Sequence, residues 1–224
     1  DRDGDRLLMV DPLGRLLDGD KLLYIIAKDR AERGELTGPV VGTVMSNMGL
    51  EVALREKGIG FHRAKVGDRH VLSMLKEKGG VIGGETSGHI LCLDRTSTGD
   101  ALISALQVLA VMRRTGTSLA QLAAGMHKFP QVMLNVRVAK RFDPMAVPAV
   151  AAVVAGVERS LGSDGRVVLR ASGTEPLIRV MVEGREEETT ARHAATIAEA
   201  VKAALRCQHA LARLCDGSQR VHQP

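Results

Sequence analysis

The sequence has 224 residues, enough for one large domain or two small ones. Apolar residues make up 45% and aromatics only 2%, so the core must be aliphatic, which argues against nucleic-acid readers built on aromatic stacking. A formal charge of +5, spread along the chain without a dense basic block, favours anionic ligands without choosing among them.

Asp1-Arg2-Asp3-Gly4-Asp5-Arg6 sets three carboxylates at alternate positions. Gly4 permits a tight turn in which all three could face one hard cation; a frayed acidic terminus is the other reading. The spacing of an EF-hand loop fails, because Arg6 and Pro12 stand where glycine and glutamate belong. Leu7 to Val10 predicts a short strand, and Asp20 is placed to cap a helix from Lys21 to Arg33, ended by Gly34. From Thr37 strands and helices alternate: a strand from Pro39 to Met45, a helix from Ser46-Asn47 to Lys57, a strand from Ile59 to Ala64, a helix from Asp68 to Lys78, and a very short strand at Val81-Ile82. This order predicts βαβ units and a largely parallel sheet, which binds ligands beyond the carboxyl ends of its strands.

One such loop is Gly83-Gly-Glu85-Thr-Ser87-Gly-His89. Glu85 and Ser87 are two residues apart and suit vicinal sugar hydroxyls, and His89 is a residue type that can move a proton. The alternative is a glycine-rich hairpin with a solvated glutamate and a core histidine. After a strand at Ile90 to Leu93, Asp100 to Arg114 is apolar on nearly every side and predicts a buried helix. Thr117 or Ser118 caps a shorter helix from Leu119 to Met126, and Phe129-Pro130 marks a boundary.

Beyond it the order is strand (Gln131 to Val138), helix (Met145 to Leu161), two strands and a helix (Thr189 to Arg206), which predicts a small α+β domain with an antiparallel sheet. The two strands flank Arg170-Ala-Ser172-Gly173-Thr174-Glu-Pro-Leu-Ile-Arg179. The hydroxyls, a glycine that lets backbone N–H groups converge, and two guanidinium forks match a phosphate's oxygens; a solvated strand–turn–strand is the alternative. Residues 207–224 read as a loose tail. Cys92, Cys207 and Cys215 lack a metal spacing and fit a reducing cytoplasm. No run is apolar enough to span a bilayer.

In this order, the carboxylate triad, Gly-Glu85-x-Ser87-Gly-His89 and Arg170-x-Ser-Gly-Thr-Glu-Pro176 resemble the α-D-phosphohexomutase superfamily. Thr43-Val-Met-Ser-Asn-Met-Gly-Leu-Glu51 and Lys65-Val-Gly-Asp68-Arg69 resemble its phosphoglucosamine mutase branch. The resemblance runs from Asp1 to about Ala204 and implies the end of a second domain (1–16), a mixed α/β sugar-binding third domain (17–128) and an α+β phosphate-binding fourth domain (129–206). It implies interconversion of glucosamine 6-phosphate and glucosamine 1-phosphate through a phosphoserine and a bisphosphorylated sugar, with phosphomannomutase/phosphoglucomutase chemistry as the neighbouring possibility. A non-catalytic anion-binding module is the possibility from another class.

By that resemblance Asp1, Asp3 and Asp5 would bind Mg²⁺, with Arg6 beside it. Glu85 and Ser87 would grip the sugar, with His89 nearby. Lys65, Asp68 and Arg69 would line the same face, Lys65, Arg6 and His89 being candidates for catalysis. Arg170, Ser172, Gly173, Thr174 and Arg179 would hold the phosphate that is not reacting. Arg2 stands where the superfamily commonly has glycine, and Thr86 replaces a more usual Gln or Asn. The superfamily's phosphoserine lies in a first domain, so the expectation is a C-terminal part of a longer enzyme, inactive by itself, whose N-terminal half is its partner. No nucleic-acid or membrane partner is expected.

Overall fold

A computed structural model describes residues 3–139, 142–172 and 175–218, with side chains through residue 206. The chain divides into two compact units, Asp1–Lys128 and Phe129–Pro224.

In the first unit, β1 (Met9–Val10) and β2 (Leu16–Leu17) pair antiparallel. Asp11 closes their turn, its carboxylate accepting the N–H groups of Leu13 and Arg15, each at 2.9 Å. Helix α1 (Gly19–Glu32) follows, capped not by Asp20 but by Asp18, whose carboxylate accepts the Lys21 N–H. Asp20 lies inside the first turn and is fully buried. Next come β3 (Val40–Thr43), α2 (Met48–Glu56), β4 (Phe61–Ala64), α3 (Asp68–Lys78), β5 (Ile82–Gly84) and β6 (Ile90–Cys92). The sheet order is β4-β3-β5-β6. Its first three strands are parallel, as the alternation predicts, whereas β6 turns back antiparallel on β5. The connection between β5 and β6 is therefore a hairpin, too short for a crossover.

Strand alternation sends Val40 to one face of this sheet and Val41 to the other. On one side Val40, Ile82 and Ile90 meet Leu22, Leu23, Ile25 and Ile26 of α1 and Leu50 and Leu54 of α2. On the other, Val41, Ala64 and Leu91 meet Val71 and Leu75 of α3. The result is three layers. Helix α4 (Ala101–Thr115) joins the first side through Val108 and Val111. It is not the wholly buried helix that its composition predicts: Leu102, Leu106 and Leu109 are exposed at 76%, 61% and 47%. Positions 102, 106 and 109 share a face one helical repeat apart, opposite the buried Ser104, Val108 and Val111. Ser118 then caps α5 (Leu119–Ala123) in a capping box with Gln121.

The second unit holds β7 (Gln131–Arg137), α6 (Pro148–Leu161), β8 (Gly165–Ala171), β9 (Leu177–Gly184) and α7 (Glu187–Ser218). Its sheet runs β7-β9-β8, antiparallel throughout. Pro148 opens α6 because its fixed φ suits a first helical position, so the helix starts later than Met145. Val136, Ile178, Val180 and Val182 face Val150, Val154 and Val157 of α6 and Ala194, Ile197 and Val201 of α7. Helix α7 continues to Ser218, where a loose tail is expected from 207 onwards. Ala210, Leu211, Ala212, Arg213 and Leu214 are strong helix formers, and propensity carries the helix on.

Candidate functional site

Parallel strands deliver their following loops to one edge of the sheet. Residues 44–47 follow β3, 65–67 follow β4 and 85–88 follow β5. The last of these is the hub. Its Glu85 carboxylate accepts the Gly67 N–H at 2.7 Å, which ties it to the loop after β4. Ser87, exposed, brings its hydroxyl within 3.4 Å of the other Glu85 oxygen. Both expected sugar-gripping groups thus lie together. Lys65, Asp68 and Arg69 are exposed around the same β4–α3 connection, Asp68 accepting the Arg69 N–H at 2.7 Å.

The acidic segment reaches the hub from one side. Leu7 N–H donates to Gly88 O at 2.9 Å, and Arg6 bridges to His89. His89 Nδ1 lies 3.2 Å from Asp5 Oδ2. His89 is 7% exposed, so it is a core histidine and a partner of the acidic loop at once. Its ring packs against Gly99, where a Cβ would fall 2.3 Å from Nε2. Among the described residues, Asp5 Oδ1 and His89 Nε2 are buried without a hydrogen-bond partner. Gly4, at φ +68°, supplies the turn between Asp3 and Asp5 that only glycine adopts readily.

Asp3 is exposed, and Asp1 lies outside the described residues. Among the described residues no three His, Cys, Asp or Glu side chains are arranged to hold a metal ion. The orphaned Oδ1 of Asp5 is the kind of carboxylate oxygen that a hard cation takes, so this position fits one.

From the other side the hub meets the start of α1. Gly19 N–H donates to Thr86 O at 3.0 Å, and a Cβ on Gly19 would fall 1.9 Å from Glu85 O. Asp20 Oδ2 accepts both the Thr86 hydroxyl at 2.9 Å and the Asn47 N–H at 2.8 Å. Burial pushes the Asp20 carboxyl above its ordinary range, against the opposing pull of the Asn47 and Thr86 hydrogen bonds. The sequence marks Asp20 as a helix cap and Thr86 as a departure within the sugar loop, and gives neither a role in the site. The signal available is a second aspartate two positions after the capping one.

In the second unit, Arg170 and Arg179 are register partners across β8 and β9, with Asn135 opposite Arg179 on β7. Alternation places all three on the sheet face away from the valine core. Ser172 is buried; its hydroxyl oxygen accepts the Glu175 N–H at 3.2 Å, and its own N–H donates to Leu177 O at 2.8 Å. Val138 N–H donates to Pro176 O, which fixes the end of β7 to the same turn. Arg179 reaches the Glu175 carboxylate at 3.2 Å. Gly173 and Thr174 lie outside the described residues.

Residues 18–129 match the family described as phosphoglucomutase/phosphomannomutase, alpha/beta/alpha domain III, and residues 133–200 match that family's C-terminal domain. The sequence is 58% identical over 204 residues to a phosphoglucosamine mutase of Aeromonas hydrophila, covering 91% of this chain and 46% of that protein. It is 56% identical over 206 residues to a phosphoglucosamine mutase of Halorhodospira halophila, covering 92% and 45%. The chain therefore spans about half the length of the curated relatives it matches. Among solved structures, Aspergillus fumigatus N-acetylphosphoglucosamine mutase, in complex with GlcNAc-6P and magnesium, superposes with a TM-score of 0.74 at 23% identity, over 90% of this chain and 51% of that one. A Burkholderia thailandensis protein of the phosphoglucomutase/phosphomannomutase family superposes with a TM-score of 0.69 at 22% identity, over 90% and 45%. These two likenesses show the fold.

Proposed function

The chain belongs to the phosphoglucomutase/phosphomannomutase family, and on that footing we propose that it serves a phosphoglucosamine mutase, interconverting glucosamine 6-phosphate and glucosamine 1-phosphate. The observation that carries the reading is the joining of two loops: Glu85–His89 is bound to the acidic segment through Leu7–Gly88 and Asp5–His89. A loop that grips sugar hydroxyls is thereby held beside one suited to a cation.

In this reading Glu85 and Ser87 hold the sugar hydroxyls in either orientation. Lys65, Asp68 and Arg69 line the same approach, and Arg6 and Lys65 are the candidate catalytic cations. His89 keeps Asp5 oriented by donating from Nδ1. Asp1, Asp3 and Asp5 would hold Mg²⁺, which when bound offsets charge on the transferred phosphoryl group. Arg170, Ser172, Gly173, Thr174 and Arg179 hold the phosphate that is not reacting, and holding it orients the reacting end. The phosphoserine belongs to the remainder of the enzyme, outside these 224 residues. A segment at 1–16 that ends one domain, a sugar-binding domain at 17–128 and a phosphate-binding domain at 129–206 complete this reading, and a cytoplasmic place accords with it. No helix among the described residues is long and apolar enough to cross a membrane.

The test is a titration of the chain with glucosamine, glucose and mannose 6-phosphates, read by amide NMR. The expected result is perturbation at Glu85, Ser87, Ser172 and Arg179, strongest with the amino sugar. Equal response to all three sugars would move the reading to a phosphomannomutase or phosphoglucomutase. No response at millimolar sugar phosphate would remove it.

A further inference from the structure

Asp20 presents a problem in energetics. It is 0% exposed, in the first turn of α1, and its Oδ1 has no partner among the described residues. Taking a carboxylate out of water is costly unless its oxygens are satisfied, and here both donors crowd onto Oδ2. Helix capping does not explain the residue, because Asp18 performs it. What Asp20 does is geometric. One oxygen gathers the Asn47 N–H from the loop after β3 and the Thr86 hydroxyl from the loop after β5. Those segments are separated from Asp20 by 27 and 66 positions in sequence. Thr86 stands between Glu85 and Ser87, and its backbone carbonyl is already held by Gly19 N–H. The hydroxyl contact therefore fixes the one residue that links the two sugar-gripping groups.

We propose that Asp20 is a positioning residue of the substrate site: acting through Thr86, it sets the conformation of the Glu85–Ser87 loop and so its grip on the sugar hydroxyls. The clamp rests on the structure of the loop, and its consequence for sugars rests on the function proposed above. Thr86 has its hydroxyl turned inward to Asp20 and to Met45 O at 3.4 Å. Its contribution is thus to the loop's shape.

The experiment has two readouts on the 224-residue chain, for Asp20→Ala, Asp20→Asn, Thr86→Val and the Asp20→Ala/Thr86→Val double variant. The first, amide hydrogen exchange at Gly19 and Gly88, needs no ligand. Asp20→Ala and Thr86→Val are expected to speed exchange there by about tenfold, the worth of one such hydrogen bond, and Asp20→Asn to return it to within about threefold, since a carbonyl accepts the same donors. The second is affinity for glucosamine 6-phosphate, expected to fall about tenfold in Thr86→Val and at least as far in Asp20→Ala, which also frees the Asn47 N–H, with no fall in the double variant beyond that of Asp20→Ala, because the Asp20–Thr86 contact is shared. Inorganic phosphate binding at the Arg170–Arg179 turn is expected to be unchanged and guards against general unfolding. If Asp20→Ala does not fold, Thr86→Val carries both readouts alone. Unchanged exchange at Gly88 overturns the clamp. Faster exchange with unchanged sugar affinity overturns its role in binding, as does an Asp20→Asn variant as impaired as Asp20→Ala. Failure of the unaltered chain to bind the sugar sinks the proposed function instead, and the exchange data still decide the clamp.

Discussion

Arg170 stands directly opposite Arg179 across β8 and β9. Two guanidinium groups in that register repel, at a cost of roughly 0.2–1 kcal/mol for like charges opposed in a sheet. The exposed Glu175 offsets Arg179 at 3.2 Å, and no described carboxylate pairs with Arg170. A bound dianion would turn this repulsion into attraction.

Replacing Arg170 with Gln should therefore leave the melting temperature unchanged or slightly higher without ligand. It should abolish most of the stabilisation that phosphate gives the unaltered protein, since a ligand stabilises only as far as it binds the native state. Thermal melts with and without phosphate at low ionic strength test this. An undiminished phosphate effect would rule out the arginine pair as the anion site.

Gly19 and Gly34 make a contrasting pair. Alanine at Gly19, inside a helix, gains by propensity alone, but its Cβ would strike Glu85 O at 1.9 Å. We expect Gly19→Ala to destabilise by more than about 2 kcal/mol and to shift the Glu85–Gly88 resonances. Gly34 has φ +69° and open space around it, so Gly34→Ala should cost only about 1–2 kcal/mol and leave the loop untouched. Urea denaturation of both variants checks the order; a milder effect at Gly19 would contradict the close approach.

The pH dependence of stability carries a sign. Burial raises the Asp20 carboxyl above its ordinary 3.8, while nearby Asp18 pushes it up further and Lys128 pulls it down. The folded state therefore keeps this proton at pH values where the unfolded chain has lost it. The Asp20 contribution is most favourable below pH 3.8 and falls as pH rises from there through the folded value. Relative to Asp20→Asn, the unaltered protein should lose stability over that window and hold a constant difference above it. Denaturation curves of the two proteins across pH supply the comparison; a difference that grows in favour of the unaltered protein as pH rises contradicts the sign.

Cys92 is buried in the first unit, and burial pushes its thiol up to about 11. In a Cys207→Ser/Cys215→Ser background the remaining thiol should label slowly at neutral pH and only as fast as the unit opens. Rapid labelling without denaturant would show that the first unit does not shield it.

Much of this fold was legible because local and tertiary preferences agree. The helix Asp68–Lys78 lies where its pattern puts it, and α2 starts just after Ser46-Asn47, where its start is expected, with Asn47 as its cap. The departures have physical causes. At Asp18-Gly-Asp20 two aspartates compete for one cap, and spacing alone does not decide that the first wins and the second is buried. Helix α4 is apolar on nearly every side, yet only Val108, Val111 and Ser104 are buried, because composition does not say how many neighbours a helix has. The β5–β6 hairpin hides within an alternating pattern, since period-two residues look alike in parallel and antiparallel strands. At the candidate site, Glu85, Ser87 and His89 were readable as a local motif. Asp20 was not: its meaning depends on Thr86, 66 positions away.

That separation has a kinetic consequence. The hub is tied to Asp5 across 84 positions and to Asp20 across 66, whereas its bond to Gly67 spans 18. Closing such long loops is entropically slow, so we expect the helices and the parallel strands to form first and the hub to lock last. Pulse-labelling during refolding should find the Leu7 and Gly88 amides protected after those of α1; simultaneous protection would argue against this order. The half-assembled unit would then spend part of its folding time with Asp5 and His89 still apart, and the two side chains would meet only at the final closure.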